Sequence, residues 1–268
     1  MQKYILLFVK IEAILKLTGD FLLQRAQTGI PGLDELVEGG LPVGRVALLI
    51  GGPGSGKTIF GMQFLVEGAK RRENGLFVTL AEHPEHIIQN VSRFGWGLEN
   101  LLKENKIRII NATPVALEIE REEYVIPIAT QIGYPKFSTS SLLNVVKEQV
   151  KALNAKRLVI DSITSLKLQF EKDMRIRQSV LDFIKSSDEL KCTTLLTSEV
   201  GEPKGIGFLA EEYLAHSVIR LHNFLIKNHI VRAIQILKMR GTMYEHRLYP
   251  YKITNKGIVV FPKEKVVA

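Results

Sequence analysis

A glycine-rich turn at residues 51–58 constrains this chain more than any other feature, because it lies between an apolar run and a helical pattern. Glycine lets the backbone curl so that several N–H groups face one anion, and the following helix presents its positive end to the same anion. The turn therefore predicts a cradle for the phosphates of a nucleotide. The residues expected to contact that nucleotide are Gly52, Pro53, Gly54, Ser55, Gly56, Lys57, Thr58 and Ile59.

Two side chains of this turn indicate its chemistry. Lys57 carries a compact cation on a flexible stem, which suits it to reach the β- and γ-phosphates and to act in catalysis. Thr58 offers a hydroxyl oxygen, a hard ligand of the kind that Mg²⁺ prefers. ATP and Mg²⁺ are therefore the expected cofactors, and the flanking strand and helix disfavour the alternative of a chance glycine turn.

Two acidic residues follow apolar, strand-like runs further along the chain. Asp161 directly follows the run 158–160, and in open sheets ligands bind beyond the carboxyl ends of the strands. We therefore expect Asp161 to join Thr58 in the magnesium site. Glu82 follows another such run and is the candidate general base for the water that attacks the γ-phosphate. The alternative is that Glu82 caps a helix that starts near Pro84.

Apolar runs alternate with helical patterns between residues 45 and 200, which predicts an α/β fold with a mostly parallel central sheet flanked by helices. After residue 210, strand-like runs follow without helices, and we expect them to add antiparallel strands to one edge. The irregular stretch 113–140 is expected to form an insertion or a surface subdomain. The predicted strands are 45–50, 75–80, 107–111, 157–161, 193–198, 217–222, 231–239 and 252–261, and predicted helices include 58–72 and 141–153.

The N-terminal stretch is apolar but interrupted by Lys10, Glu12 and Lys16, so it is too charged to span a bilayer comfortably. We interpret it as an amphipathic helix, with a helix on a membrane surface as the minor alternative. The single cysteine excludes an intrachain disulfide and favours a cytoplasmic location. The predicted parts are an extension at 1–27, a nucleotide-binding domain at 28–262 and a tail at 263–268.

The order of these motifs along the chain resembles that of the RecA superfamily. Within it, the chain is most similar to single-domain KaiC-like ATPases and to the archaeal RadA paralogues. The glycine-rich turn is specific by itself, whereas the other stretches are specific through their order. Those other stretches are 28–34, 39–42, Ala81-Glu82-His83, Phe94-Gly95-Trp96, 157–164, 195–199, 211–213, Lys238-Met239-Arg240-Gly241-Thr242 and 253–257.

The resemblance implies an assembly and further site residues. Similar proteins form rings, which include hexamers, or filaments with ATP at the subunit interface. Lys238 and Arg240 lie in the motif whose cations reach the γ-phosphate of the neighbouring subunit, and two such cations in trans would stabilise the transferred phosphoryl group. Phe208 matches an aromatic residue that approaches the nucleotide from the adjacent subunit. The residues that match positions lining the base and sugar are Arg232, Ile253, Thr254 and Asn255.

Several departures limit what the resemblance implies. Clock-type relatives have two consecutive glutamates where this chain has Ala81 and Glu82, so we expect hydrolysis that is slow. The chain has one such domain where clock KaiC has two, and a timekeeping or autokinase role is not expected. A RadA-type N-terminal helix-hairpin-helix domain has no counterpart here.

Three functions follow from these observations. The leading hypothesis is a Mg²⁺-dependent, ATP-hydrolysing oligomer with a composite site between subunits. The first alternative is a recombination or repair accessory factor that binds single-stranded DNA under the control of ATP. The net charge of +8 and Lys204, within a segment in the place of RecA's second DNA-binding loop, favour it. The second alternative is a signalling scaffold that acts through a protein partner.

Overall fold

The computed structural model describes residues 23–112, 139–165, 178, 181–182, 184–186, 189–199 and 210–266. Its strands are β1 (Arg25–Ala26), β2 (Leu41–Pro42), β3 (Val46–Gly51), β4 (Gly75–Thr79), β5 (Ile107–Asn111), β6 (Arg157–Asp161), β7 (Thr193–Ser198), β8 (Ser217–Ile226), β9 (His229–Met239), β10 (Leu248–Thr254) and β11 (Gly257–Val260). Its helices are α1 (Leu33–Leu36), α2 (Lys57–Lys70), α3 (Pro84–Ser92), α4 (Leu98–Lys103), α5 (Thr139–Leu153) and α6 (Ala210–Leu214).

Three predicted segments lie mostly or wholly outside the described residues. They are the N-terminal helix as far as residue 22, the irregular stretch up to residue 138, and the candidate DNA-binding segment 201–208 with its Lys204 and Phe208.

Nine strands form one sheet in the order β11-β10-β9-β8-β3-β7-β6-β4-β5. From β8 to β5, every neighbouring pair is parallel. From β8 to β11, every neighbouring pair is antiparallel. The predicted α/β fold is confirmed: the sheet is mostly parallel, and its C-terminal strands extend one edge antiparallel.

Helices cover both faces of the parallel strands, as the continuous apolar runs of those strands predict. One face packs against α2, whose Phe60 and Phe64 are fully buried. The other face packs against α5 through Leu142, Val146 and Val150. Full burial of one phenylalanine contributes about 1.5–3 kcal/mol, so these contacts fix α2, and the turn before it, against the sheet.

Two antiparallel strands are longer than predicted. β8 extends beyond residue 222 to Ile226, and β9 begins before residue 231 at His229, so a two-residue turn joins them. Its residues Lys227 and Asn228 both have positive φ, 45° and 63°. Such a turn matches the twist of the two strands, but its usual sequence signal contains glycine. The predicted strand 252–261 is divided by the turn at Asn255 and Lys256, and Gly257 begins β11 with φ of 108°.

The described chain already packs onto the domain at residues 25 and 26, which precede the predicted domain boundary at residue 28. Arg25 pairs with Pro42 and Ala26 with Leu41, so β1 and β2 form a small antiparallel ribbon. Directly afterwards, the Thr28 hydroxyl donates to Asp34 Oδ1 at 2.7 Å. Burial raises the pKa of Asp34, while hydrogen bonds from Thr28 oppose the rise. The ribbon therefore continues into a turn anchored on α1.

Candidate nucleotide-binding site

The glycine-rich turn links the end of β3 to the start of α2, as predicted. Gly54 and Gly56 have φ of 70° and 95°, a left-handed conformation that glycine adopts without strain. A Cβ at Gly56 would lie 3.0 Å from Ile253 Cδ1, so this residue also allows a close approach of β10. Within the described part of the chain, the buried Ser55 hydroxyl has no hydrogen-bond partner. The turn is thus curled and bounded by β10.

Lys57 is folded back onto the turn that precedes it. Its Nζ donates to Gly51 O at 2.9 Å and to Gly52 O at 3.2 Å. Burial lowers the pKa of Lys57, and the negative charges of Glu199 and Asp161 oppose that shift. Carbonyl oxygens therefore occupy positions around the ammonium group that phosphate oxygens can take over.

Asp161 lies at the end of β6 and connects two other elements. Its Oδ2 accepts a hydrogen bond from Thr58 Oγ1 at 2.6 Å, so the two predicted metal residues are in direct contact. Its Oδ1 accepts a second bond from Thr197 Oγ1 on β7 at 2.5 Å. Thr197 lies in the stretch 195–199 that resembles the family, but the sequence assigned it no role, because a threonine inside a buried strand carries no distinctive signal of its own.

These oxygens fit a magnesium ion. Mg²⁺ typically takes one or two protein oxygens and completes its shell with substrate phosphates and water, and Thr58 with Asp161 supplies that number. Among the residues that the structure describes, no group of three or more His, Cys, Asp or Glu side chains is placed to hold a metal ion.

Glu82 is held just beyond the end of β4. Its backbone N–H donates to Thr79 Oγ1 at 3.0 Å, and the Thr79 hydroxyl donates to Glu82 O at 2.6 Å. Asn90 Nδ2 donates to Glu82 Oε1 at 2.9 Å. The N-cap of α3 is His83, followed by Pro84 in the first turn. The alternative of Glu82 as the helix cap therefore does not apply, and its carboxylate faces α3.

A cleft of about 330 Å³ brings these elements together. It contains the turn, the start of α2 and Glu82, and it adds Asn90 and Arg93, which the sequence analysis missed. These two residues are three apart at the end of α3, a spacing that places side chains on one face. The residues lining the cleft are Gly54, Gly56, Lys57, Thr58, Ile59, Glu82, Asn90, Val91, Arg93 and Ile253.

Of the residues predicted to contact base and sugar, Ile253 lines the cleft. Thr254 and Asn255 follow it at the β10–β11 turn. Arg232 on β9 lies near Tyr251: burial raises the pKa of Tyr251 to about 12, and the charge of Arg232 opposes that rise. The Tyr251 hydroxyl in turn donates to Ser55 O at 2.7 Å. The C-terminal strands thus support the turn from one side.

Lys238 and Arg240 lie away from this cleft. Gly51 pairs with Leu221 in the middle of β8, whereas Met239 pairs with Ser217 at the start of that strand. Four residues of strand separate the two positions, which corresponds to about 13 Å. In their own chain, the two cations therefore lie near the amino end of β3, whereas the turn follows its carboxyl end.

The two cations differ in their surroundings. Lys238 Nζ donates to three carbonyl oxygens at the end of α6, those of Glu212, Tyr213 and Ala215, at 3.2, 2.8 and 2.7 Å. Burial lowers the pKa of Lys238, and the positive charge of Arg240 lowers it further. Arg240 is exposed and follows the last residue of β9.

Comparison with known proteins identifies the family. The family model described as "ATPase: KaiC" matches residues 26–265. The chain belongs to the KaiC family of ATPases. Its resemblance to RecA-like, KaiC-like proteins is therefore confirmed, and the KaiC-type fold described above is that of an ATP-binding ATPase.

Individual relatives agree with this assignment. The chain is 36% identical to a UPF0273 protein of Thermotoga maritima, over 91% of this chain and 98% of that protein. It is 36% identical to the circadian clock oscillator protein KaiC of Picosynechococcus, over 89% of this chain but only 45% of that protein. The crystal structure of a KaiC-like protein from Pyrococcus horikoshii matches with a TM-score of 0.74 and 37% identity, over 90% of this chain and all of that chain.

In the part of the chain that the structure describes, no helix combines the length and the apolar character needed to cross a bilayer.

Proposed function

We propose that the protein hydrolyses ATP in a Mg²⁺-dependent reaction, at a site that two copies of the chain complete together. The observation that carries the proposal is the separation of the predicted catalytic groups into two places. Lys57, Thr58 and Glu82 line one cleft, whereas Lys238 and Arg240 lie toward the other end of the strands, near the amino end of β3.

Within one chain, the turn and Lys57 bind the phosphates, because N–H groups and an ammonium ion converge there. Thr58 and Asp161 hold Mg²⁺, which when bound stabilises negative charge on the phosphoryl oxygens. Glu82 orients the attacking water and accepts its proton. Asn90, through its bond to Glu82 Oε1, keeps that carboxylate in one direction.

The second part of the site comes from another copy of the chain. A side chain at the end of β9 cannot span the sheet to its own turn, since the strand alone accounts for about 13 Å. A neighbouring copy can bring Lys238 and Arg240 to the open side of the cleft, in a ring or a filament. Cations supplied in this way stabilise the charge on the transferred phosphoryl group and couple turnover to assembly.

The role of Glu82 is tested by Glu82→Gln, which keeps the size of the side chain and an oxygen for Asn90 but removes the base. We expect ATP turnover to fall about 10²- to 10⁴-fold, with little change in ATP affinity measured by calorimetry. Glu85→Gln, at an exposed position on the first turn of α3, is the matched control and should turn over normally. Unchanged turnover in Glu82→Gln would remove Glu82 as the base.

The shared site is tested by mixing two inactive variants. Lys57→Ala lacks the phosphate cation but keeps Arg240, whereas Arg240→Ala keeps the cleft but lacks the trans cation. Each variant alone should hydrolyse ATP slowly. The mixture should recover part of the activity, because the intact cleft of Arg240→Ala can meet the intact Arg240 of Lys57→Ala. If both variants assemble together and the mixture gains nothing, Arg240 does not act in trans.

A further inference from the structure

The loop that follows β9 is held by an arginine of the N-terminal ribbon. Arg25 Nη1 donates to Thr242 Oγ1 at 2.6 Å, and its Nη2 donates to Gly241 O at 3.0 Å. The same Nη2 pairs with a carboxylate oxygen of Glu38 at 2.7 Å. Only 14% of the Arg25 side chain is exposed. A single guanidinium group therefore bonds both residues that directly follow Arg240.

Other contacts fix the backbone of this loop from further directions. Arg240 N donates to His216 O at 3.0 Å, and Arg45 Nη1 donates to Arg240 O at 3.3 Å. Gly241 has φ of 71°, and a Cβ there would lie 2.5 Å from Leu23 Cδ1. The loop is thus anchored through its backbone, while the side chain of Arg240 remains exposed.

We propose that Arg25 is a positioning residue for the trans action of Arg240. This inference rests on the function proposed above. Arg25 contacts the loop that follows β9, away from its own phosphate-binding turn, so it acts through the loop and not on the nucleotide.

The physical reason is geometric precision. An arginine that acts across an interface must present its guanidinium group to within a fraction of an ångström, and a misplacement of about 1 Å can cost about 100-fold in rate. The planar fork of Arg25 supplies directional donors to two acceptors at once. The charge-assisted bond to Glu38 holds the fork in orientation. The ribbon therefore sets where Arg240 points.

Arg25→Ala removes this anchor and leaves the cleft intact. We expect turnover to fall about 10- to 100-fold, with ATP affinity and assembly size unchanged. Arg25→Lys should fall between, because one ammonium group cannot reproduce the fork. Arg71→Ala is the matched control: Arg71 also pairs with a glutamate, Glu67 at 2.7 Å, but has no contact with the loop among its described bonds, and its turnover should be normal.

Mixing Arg25→Ala with a second variant distinguishes a loss of Arg240 positioning from a loss of protein stability. Arg25→Ala combined with Lys57→Ala should regain activity, because the intact Arg240 of the second variant can serve the intact cleft of the first. Arg25→Ala combined with Arg240→Ala should gain nothing, since both lack a placed trans cation. A destabilised cleft in Arg25→Ala would give the opposite pattern, with no gain from Lys57→Ala but a gain from Arg240→Ala, whose intact cleft could use the Arg240 of Arg25→Ala.

The mixture of Arg240→Ala with Lys57→Ala serves as the reference that distinguishes this inference from the proposed function. If Arg240→Ala is rescued by Lys57→Ala but Arg25→Ala is not, the inference about Arg25 is overturned and the trans site stands. If neither is rescued, the trans site itself is overturned. Should Arg25→Ala fail to fold, Thr242→Val carries the test. It loses one acceptor of the Arg25 fork, so a rate loss rescued by Lys57→Ala supports the proposal, and wild-type turnover overturns it.

Discussion

At the scale of single residues, the candidate site depends on neutral side chains that hold its carboxylates in place. Thr58 and Thr197 each donate a hydroxyl hydrogen bond to Asp161, and Asn90 donates to Glu82. These partners come from different elements of the fold. The directions of the two carboxylates are therefore fixed before any ligand binds.

The contribution of Thr197 is measurable through magnesium. Thr197→Val keeps the shape of the side chain but removes the bond to Asp161 Oδ1. Loss of such an outer partner typically weakens metal binding about 10- to 100-fold, so we expect turnover to require correspondingly more Mg²⁺. A titration of turnover with Mg²⁺ measures this shift.

The control for that titration lies on the same strand. Thr194→Val removes another fully buried hydroxyl of β7, one that donates to Cys192 O at 3.4 Å and is away from Asp161. It should leave the Mg²⁺ requirement unchanged. Equal Mg²⁺ curves for the two variants would show that Thr197 does not support the metal site.

At the scale of elements, the hairpin of β10 and β11 forms one wall of the nucleotide cleft. Trp96 Nε1 donates to the carbonyl oxygen of Lys256, in the turn of this hairpin, at 3.0 Å. The Trp96 indole stacks on Phe94 with ring centroids 4.8 Å apart. A Cβ at Gly257 would lie 2.6 Å from the Trp96 ring. The segment between α3 and α4 therefore holds the turn that begins next to Ile253.

This coupling predicts a selective effect of Trp96→Phe. The variant keeps a ring to stack on Phe94 but loses the bond to the turn, worth about 1 kcal/mol or roughly fivefold in affinity. We expect ATP to bind about that much more weakly. Inorganic tripolyphosphate should bind as before, because it reaches the glycine-rich turn only. Competition binding measures both, and an equal loss for both ligands would contradict the coupling.

At the scale of the whole molecule, the cleft is proposed to lie between two copies of the chain. ATP bound there would contact both copies and favour their association by mass action. Assembly and nucleotide binding should therefore be linked.

Sizing with mass detection tests that link. We expect Glu82→Gln to form the largest and most stable assembly in Mg²⁺ and ATP, since it binds without turnover. Lys57→Ala under the same conditions should shift towards smaller species, as should Glu82→Gln after Mg²⁺ is chelated. A single copy at all protein concentrations in Mg²⁺ and ATP would contradict a shared site.

Much of this could be predicted from the sequence because the signals are local. The turn at 51–58 places its glycines, Lys57 and Thr58 within eight residues, and its strand and helix adjoin it. The apolar runs of the parallel strands identify the sheet. Asp161 and Glu82 are found because each lies just after the end of one of those runs. Here short-range patterns and the rule that ligands bind at strand ends are sufficient.

The tertiary structure alone decided which distant side chains meet. Arg25 contacts Thr242 across 217 positions of the chain, and Thr197 reaches Asp161 because the sheet places β7 beside β6. The turn at Lys227 and Asn228 escaped prediction because residues with side chains adopt positive φ there. The sequence by itself determined the glycine-rich turn between a strand and a helix, and it predicts the phosphate-binding chemistry of that turn. The separation of Arg240 from its own cleft, and the anchor that holds it, depend on strand order and register, which no local pattern encodes.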